Sequence, residues 1–434
     1  MDTERPHPSR DTPPPRPAYG KPAHQRGAGD GWLAPAVAHR RSSIADSLEP
    51  GPLRDELGGA PLQPLASVEP DRLARFHFTG QGGEYFRIWV VNLLLTLLTL
   101  GVYSAWAKVR KTRYFWQNTR LDGHVFDYHG APVAILAGRA IALALLVGYS
   151  IAGEFSTTAG LAMIVLLCVA GPWLFMRAQR FKLANTSWRG LRFGFDARAL
   201  PAYRAVLPPM LIWFSGAILA AVAAENAGLL AAAGLVSAGM LPWMHHRLKA
   251  YQHGSASFGD RGFAFLPATP GFYAIYFKAA LVGIAGALLG VLASIAIIAI
   301  GGTLALSGGD VPQGAIMAAG ALVALFGWLV AWPYFAARLQ AIVWSHTQLG
   351  DVRFATSIAA WPLLRLTATN MALTLATAGL YWPYASIALA RYRIECMRAQ
   401  SDQALGTIAA STSAAPGLAA GDAAADVFGL DIGI

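Results

Sequence analysis

Eight stretches of almost uninterrupted apolar sequence constrain this chain more than any other feature. They lie near 88–107, 133–153, 159–176, 205–224, 227–244, 279–301, 314–336 and 366–390. A helix needs roughly 20 apolar residues to cross the hydrocarbon of a bilayer. The runs are continuous, whereas a membrane barrel strand alternates apolar and polar positions. Composition points the same way. The chain is 55% hydrophobic and 13% charged, against about 25% charged in a soluble domain. The expectation is an all-α polytopic membrane protein with six to eight membrane helices.

The charge pattern orients those helices. The short connections between the second and seventh segments carry Glu154, Glu225 and Asp310, whereas the long connections carry Arg177, Arg180, Lys182, Arg189, Arg192, Arg247 and Lys249. Basic loops stay in the cytoplasm, so the long loops are expected there. The terminal segments, 88–107 and 366–390, are basic on both sides. Either they span, giving eight helices, or they break at Gly101 and Gly379 and re-enter, giving six. The net charge of +10 is explained by the same rule and by anionic lipid; no nucleic-acid partner is expected. Residues 1–75 hold half of the 26 prolines and read as a disordered tail without a signal-peptide core. Residues 76–399 are the membrane domain. Residues 400–434 read as a second, acidic, Ala/Gly-rich tail. Cys168 and Cys396 are too few and too far apart in context for a disulfide framework or a thiol metal site.

The chain also repeats itself. NLLLTLLTLGVYSAWA at 92–107 aligns without a gap on NMALTLATAGLYWPYA at 370–385. The ends of several apolar segments share a longer pattern, seen in AWAKVRKTRYFWQNTRLDGHVF (105–126), PWLFMRAQRFKLANTSWRGLRF (172–193) and PYFAARLQAIVWSHTQLGDVRF (333–354). An aromatic (Trp106, Trp173, Tyr334) precedes an Arg by four residues (Arg110, Arg177, Arg338). A polar-Thr pair follows (Asn118-Thr119, Asn185-Thr186, His346-Thr347), and a Phe closes each copy (Phe126, Phe193, Phe354). The fifth segment keeps Pro242-Trp243 and Arg247. Four or five degenerate helical hairpins are expected. Short aromatic alternations, Phe76-His-Phe78, Phe126-Asp-Tyr128, Phe193-Gly-Phe195 and Phe263-Ala-Phe265, suggest extended segments on the cytoplasmic face or simple interfacial anchors.

The stretch Phe76–Lys108 holds Phe-x-Phe-x-Gly, Glu-Tyr-Phe, an Asn before an apolar run, and Thr-Leu-Gly-x-Tyr-Ser-x-Trp-Ala-Lys. In these motifs the chain resembles the YjgN-like bacterial inner-membrane proteins (domain of unknown function 898), over roughly residues 75–400. The resemblance implies a bacterial inner membrane and many spans. It implies no activity and no catalytic residues.

Two constellations are candidate sites. Asn92, Thr96, Thr99 and Tyr103 share one helical face, and Asn370, Thr374, Thr377 and Tyr381 repeat the spacing. Such stripes either bond neighbouring helices or face one another across a shared polar site. Trp106, Arg110 and Arg113, with Trp173, Arg177 and Arg180, place an interfacial aromatic beside cations that suit lipid phosphates, or serve topology alone. Arg139 is expected either to snorkel to the cytoplasmic interface or to pair with an internal acid or serve a site. Gly286, Gly290 and Ser294 form a small-residue face for close helix packing. His245, His246 and His253 lack accompanying carboxylates or thiols, Gly80-Gln-Gly82-Gly83 lacks the Lys of a phosphate loop, and no paired carboxylates lie in the apolar core. No enzymatic activity, metal or cofactor is expected. The leading expectation is transport or handling of a small solute or lipid. The alternatives are a scaffold that binds anionic lipid or protein partners through its basic face and, last, a membrane-embedded enzyme.

Overall fold

The computed structural model describes residues 73–196, 198–223, 226–304 and 313–401. The bulk of both tails lies outside them, as do Glu225 and Asp310. The repeating unit is strand, helix, helix, strand, and it occurs five times. The first is β1 (Leu73–Phe78), α1 (Gly82–Leu98), α2 (Ser104–Gln117), β2 (Thr119–Leu121). The second is β3 (His124–Tyr128), α3 (Pro132–Phe155), α4 (Thr157–Ala184), β4 (Thr186–Trp188). The third is β5 (Leu191–Phe195), α5 (Ala199–Ala223), α6 (Ala227–Gly254), β6 (Ala256–Phe258). The fourth is β7 (Arg261–Phe265), α7 (Thr269–Leu304), α8 (Gln313–Ser345), β8 (Thr347–Leu349). The fifth is β9 (Val352–Thr356), α9 (Ala360–Ala376), α10 (Trp382–Glu395), β10 (Met397–Gln400).

The ten strands close into one antiparallel barrel, in which each pairs with its sequence neighbours and β10 pairs with β1. The two strands of a unit pair across the base of its helical hairpin, so both helices start and finish at the barrel. The helices close a ring of their own, each packing on its hairpin mate and on the adjoining hairpin, with α10 against α1.

This overturns the all-α expectation. The aromatic alternations are not separate extended edges; together with the three- or four-residue strands that follow each second helix, they form a closed sheet. The helix count falls too. Among the described residues, five helices are long and apolar enough to cross a membrane, namely α3, α4, α6, and the stretches Thr269–Ala296 of α7 and Ile316–Ser345 of α8. Neither terminal hairpin contributes one. Each reverses where the sequence analysis allowed a break. Leu100 and Gly101 have φ of 49° and 91°, and Ala378 and Gly379 have φ of 48° and 93°. Helices α1 and α9, of 17 residues each, rise about 25 Å, short of a ~30 Å hydrocarbon core. Because α1 and α10 are neighbours, the wall of the bundle is low along that one side. Replacing Gly379 with Ala is expected to cost about 1–2 kcal/mol, since a Cβ in the left-handed region is strained even in open space. Thermal unfolding checks this, with Gly83→Ala, in open space without a positive φ, as the comparison.

The repeated residues explain the unit. Thr119 Oγ1 donates to the Phe115 carbonyl at 2.8 Å, Thr186 Oγ1 to Lys182 at 2.9 Å, and Thr347 Oγ1 to Val343 at 2.7 Å. The preceding Asn118 and Asn185 amides donate to Tyr114 and Phe181 carbonyls, each at 2.8 Å. The polar-Thr pair thus satisfies last-turn carbonyls just where helix becomes strand. Two-residue turns then reverse the chain. Asp122-Gly123 and Arg189-Gly190 have positive φ at both residues, and Gly259 and Gly350 have it at the first turn position, patterns that match the twist of paired strands. Inside the barrel, the first Phe of each odd strand stacks on the next. Ring centroids are 6.3 Å apart for Phe76–Phe126, 6.4 Å for Phe126–Phe193, 6.5 Å for Phe193–Phe263 and 6.2 Å for Phe263–Phe354. The helices show the opposite surface. Leu143, Val165, Phe277 and Leu292 are more than half exposed on their outer faces, an apolar exterior that suits contact with hydrocarbon.

Candidate functional site

Where the second helices of the hairpins converge on the barrel they enclose a cavity of about 510 Å3. Its base is the phenylalanine stack with Trp188, Phe258 and Met397. Its walls come from α2, α4, α6, α8 and α10, and from none of the first helices. When the units are aligned on the helix-to-strand junction (Thr119, Thr186, Ala256, Thr347, Met397), two positions gather buried polar residues at or beside the wall. Four residues before the junction stand Phe115, Lys182, Gln252, Val343 and Arg393. Seven before it stand Thr112, Gln179, Lys249, Gln340 and Ala390. Seven of these ten residues line the cavity, and Lys249, Gln340 and Val343 do not. Gln179, Lys249, Gln252 and Gln340 are all at most 3% exposed.

Arg393 is anchored to a neighbouring helix. Its Nε donates to Gln340 Oε1 at 2.8 Å, while Gln340 Nε2 donates back to the Arg393 carbonyl at 2.9 Å. This reciprocal pair ties α8 to α10. Burial lowers the affinity of the Arg393 guanidinium for its proton, and an arginine stays a cation nonetheless.

The residues singled out from sequence lie elsewhere. Asn92 and Asn370 are 7% and 5% exposed, but none of the eight stripe residues lines the cavity. Each stripe is built into its own hairpin. The Asn370 amide approaches the Ala385 carbonyl of α10 at 3.4 Å. Thr96 and Thr374 donate to the Asn92 and Asn370 carbonyls at 2.6 and 2.7 Å. Thr99 and Thr377 donate to Leu95 and Leu373, each at 2.8 Å, and accept from the Tyr103 and Tyr381 backbone N–H groups at 2.9 and 3.0 Å. The threonines therefore stabilise the reversals. Helix α10 packs between α1 and α9, so the two stripes belong to separate hairpins.

The aromatic-Arg landmarks form an outer band. Arg177 lies 5.0 Å from the Trp173 ring, Arg247 5.0 Å from Trp243, and Arg338 5.7 Å from Tyr334. In the first unit Trp106 stacks on Tyr103 with centroids 6.1 Å apart, and Arg110 is exposed. Arg113 donates from Nε to the Tyr128 carbonyl at 3.2 Å, holding α2 to β3. Arg180 Nε is buried with no hydrogen-bond partner among the described residues. Arg139 donates to Ser104 Oγ at 2.5 Å, joining α3 to α2.

Sequence reasoning missed the cavity residues because each one, taken alone, reads as a basic or polar residue near a membrane boundary. The signal was the alignment of all five junctions, which stacks Lys182, Gln252 and Arg393 in one column.

The family described as "Bacterial protein of unknown function (DUF898)" matches residues 73–427. The chain is similar to an inner membrane protein YjgN of Salmonella typhimurium, 32% identical over 138 residues, which is 31% of this chain and 35% of that one. It is also 32% identical over 127 residues to an Escherichia coli K12 protein of the same name, covering 28% of this chain and 31% of that one. The chain thus spans about a third of the length of the curated relatives it matches. No solved structure matches.

Proposed function

The chain belongs to the DUF898 family of bacterial proteins of unknown function, and from that premise we propose that it is a multi-pass inner-membrane protein that binds a small solute or lipid-derived molecule in its central cavity, to hold or transport it. The barrel with its basic surroundings is cytoplasmic in this reading, by the positive-inside rule. The observation that carries the proposal is the cavity itself. Its volume of about 510 Å3 is in the range of small-molecule sites, and it combines apolar walls with a few convergent polar groups, as such sites do. The outer apolar helices and the name of the relatives support the inner-membrane location.

The test fills the space. Ala390 and Ala256 line the cavity from α10 and β6. The double variant Ala390→Phe/Ala256→Phe is expected to lose at least about tenfold of any molecule that co-purifies with the wild type, a change of ~1.4 kcal/mol, read by mass spectrometry of the extracted ligand. Equal retention by a variant that is folded and inserted defeats the proposal.

A second reading has its own support. The Arg-over-aromatic pairs at Trp173, Trp243 and Tyr334 recur in the three middle units and suit anionic headgroups. In that reading the band recruits lipid or protein partners, and no catalytic step is assigned to the protein.

A further inference from the structure

The cavity wall has a sign. Lys108, Lys111, Lys182 and Arg393 line it, and among the described residues no Asp or Glu does. Lys249, 3% exposed, stands behind the wall within coulombic reach of Lys182 and Arg393. Three helices, α2, α4 and α10, therefore place cations on the wall. Such charges act strongly on a ligand where water is excluded. The fork of Arg393 is held in place by Gln340, which lowers the entropic cost of using it.

A second observation concerns the base. Trp188 and Trp344 line the cavity at 4% and 7% exposure, and their indole N–H groups have no hydrogen-bond acceptor among the described residues. An indole N–H can only donate, and a buried donor without an acceptor costs about 1–3 kcal/mol. The two indole rings line the base while their N–H groups are themselves buried. Below them the phenylalanine stack offers only apolar area.

We infer that the cavity takes an amphipathic anion, with a carboxylate, sulfonate or phosphate monoester near Lys182 and Arg393 and an apolar chain or aromatic body against the phenylalanine stack. The inference rests on the reading of the cavity as a binding site and adds the ligand's chemical class. The same chemistry has two sources. A lipid-derived acid would enter from the bilayer over the low wall made by the terminal hairpins, and a soluble aromatic acid from the aqueous side.

The experiment uses the full chain in phosphatidylcholine nanodiscs and four radiolabelled probes. Decanoate is compared with decanol, and 1-naphthoate with 1-naphthol. One saturable site is expected, with at least one anion bound about tenfold or more tightly than its neutral counterpart. Preference for decanoate assigns the lipid-derived source; preference for 1-naphthoate assigns the soluble one. Lys182→Gln and Arg393→Gln are each expected to weaken the anion about tenfold while leaving the neutral probe within about twofold. Lys182→Arg keeps the charge and is expected to keep the preference. Equal affinity for anion and neutral partner in the wild type, a comparison that needs no variant, overturns the inference and leaves the cavity reading standing. Failure of every probe to saturate removes the cavity reading as well.

Discussion

Replacing Phe258 with Ala is expected to destabilise the protein by about 3–5 kcal/mol, the range for deleting a buried aromatic side chain. Phe258 is 2% exposed. Its ring lies 4.6 Å from Phe193 and 5.5 Å from Trp188, centroid to centroid, and its strand pairs with β5 at Phe193 itself. Few other side chains can move into the space, because β6 is fixed between α6 and the two-residue turn to β7. Urea unfolding in detergent, followed by tryptophan fluorescence, measures the loss. Phe258→Leu keeps most of the volume and is expected to cost less than half as much. A loss below ~1 kcal/mol for the alanine variant would mean that the aromatic interior is not what holds the barrel together.

The second large effect lies at the α7–α8 contact. A Cβ at Gly290 would sit 2.6 Å from Val323 Cα and 3.0 Å from the Leu322 carbonyl, and one at Gly286 would sit 2.7 Å from the Phe326 carbonyl. These neighbours are backbone, so no side chain can rotate away. Ser294, one turn further on, donates to its own Gly290 carbonyl at 2.8 Å and across to Ala319 at 3.1 Å. Gly290→Leu is expected to push the two helices apart and cost about 1–3 kcal/mol through overpacking, with loss of the Ser294 bridge in addition. Gly320→Leu on α8 is the comparison, because nothing lies within 4 Å of a Cβ there. It is expected to unfold at the wild-type temperature or above. Equal behaviour of the two variants would show that the close approach of α7 and α8 contributes nothing to stability.

Local pattern made some of this fold readable. The polar-Thr pairs, the Arg-aromatic spacing and the closing Phe marked the units, because each does a local job: capping a carbonyl, covering a ring, starting a strand. The break at Gly101 and Gly379 was readable for the same reason. The barrel was not. Strands such as Thr119–Leu121 and Ala256–Phe258 have three residues each, too few for alternation to register, and their stability comes from partners contributed by other units. The count of eight took the segments near 88–107 and 366–390 as spans where they are reversed hairpins, and the count of six still exceeds the five found among the described residues. The polar stripes drew attention because their residues are unusual inside an apolar run. The cavity residues drew none, because topology alone explains an isolated Lys182 or Arg393. Only their common offset from the junction gives them a shared direction.

The five units also have one orientation. Every hairpin leaves the barrel and returns to it, so the repeats are related by rotation about an axis through the sheet. An inverted pair, related by a twofold axis in the membrane plane, is absent from this arrangement among the described residues. The two terminal segments are alike because they are the first and fifth copies of one element.

The β1–β10 pairing has a consequence for biosynthesis. Every other strand pairing joins neighbours in the chain, but this one joins Leu73 to Gln400 and Arg75 to Arg398. A chain emerging from the ribosome can assemble its hairpins in order, yet the sheet stays an open crescent with a bare edge on β1 until the last strand is made. Contacts so distant in sequence form slowly, and a bare edge can recruit a foreign strand. The interval before ring closure is therefore the stage of synthesis most exposed to mispairing, and a break in translation just before Met397 releases a crescent rather than a slightly smaller ring.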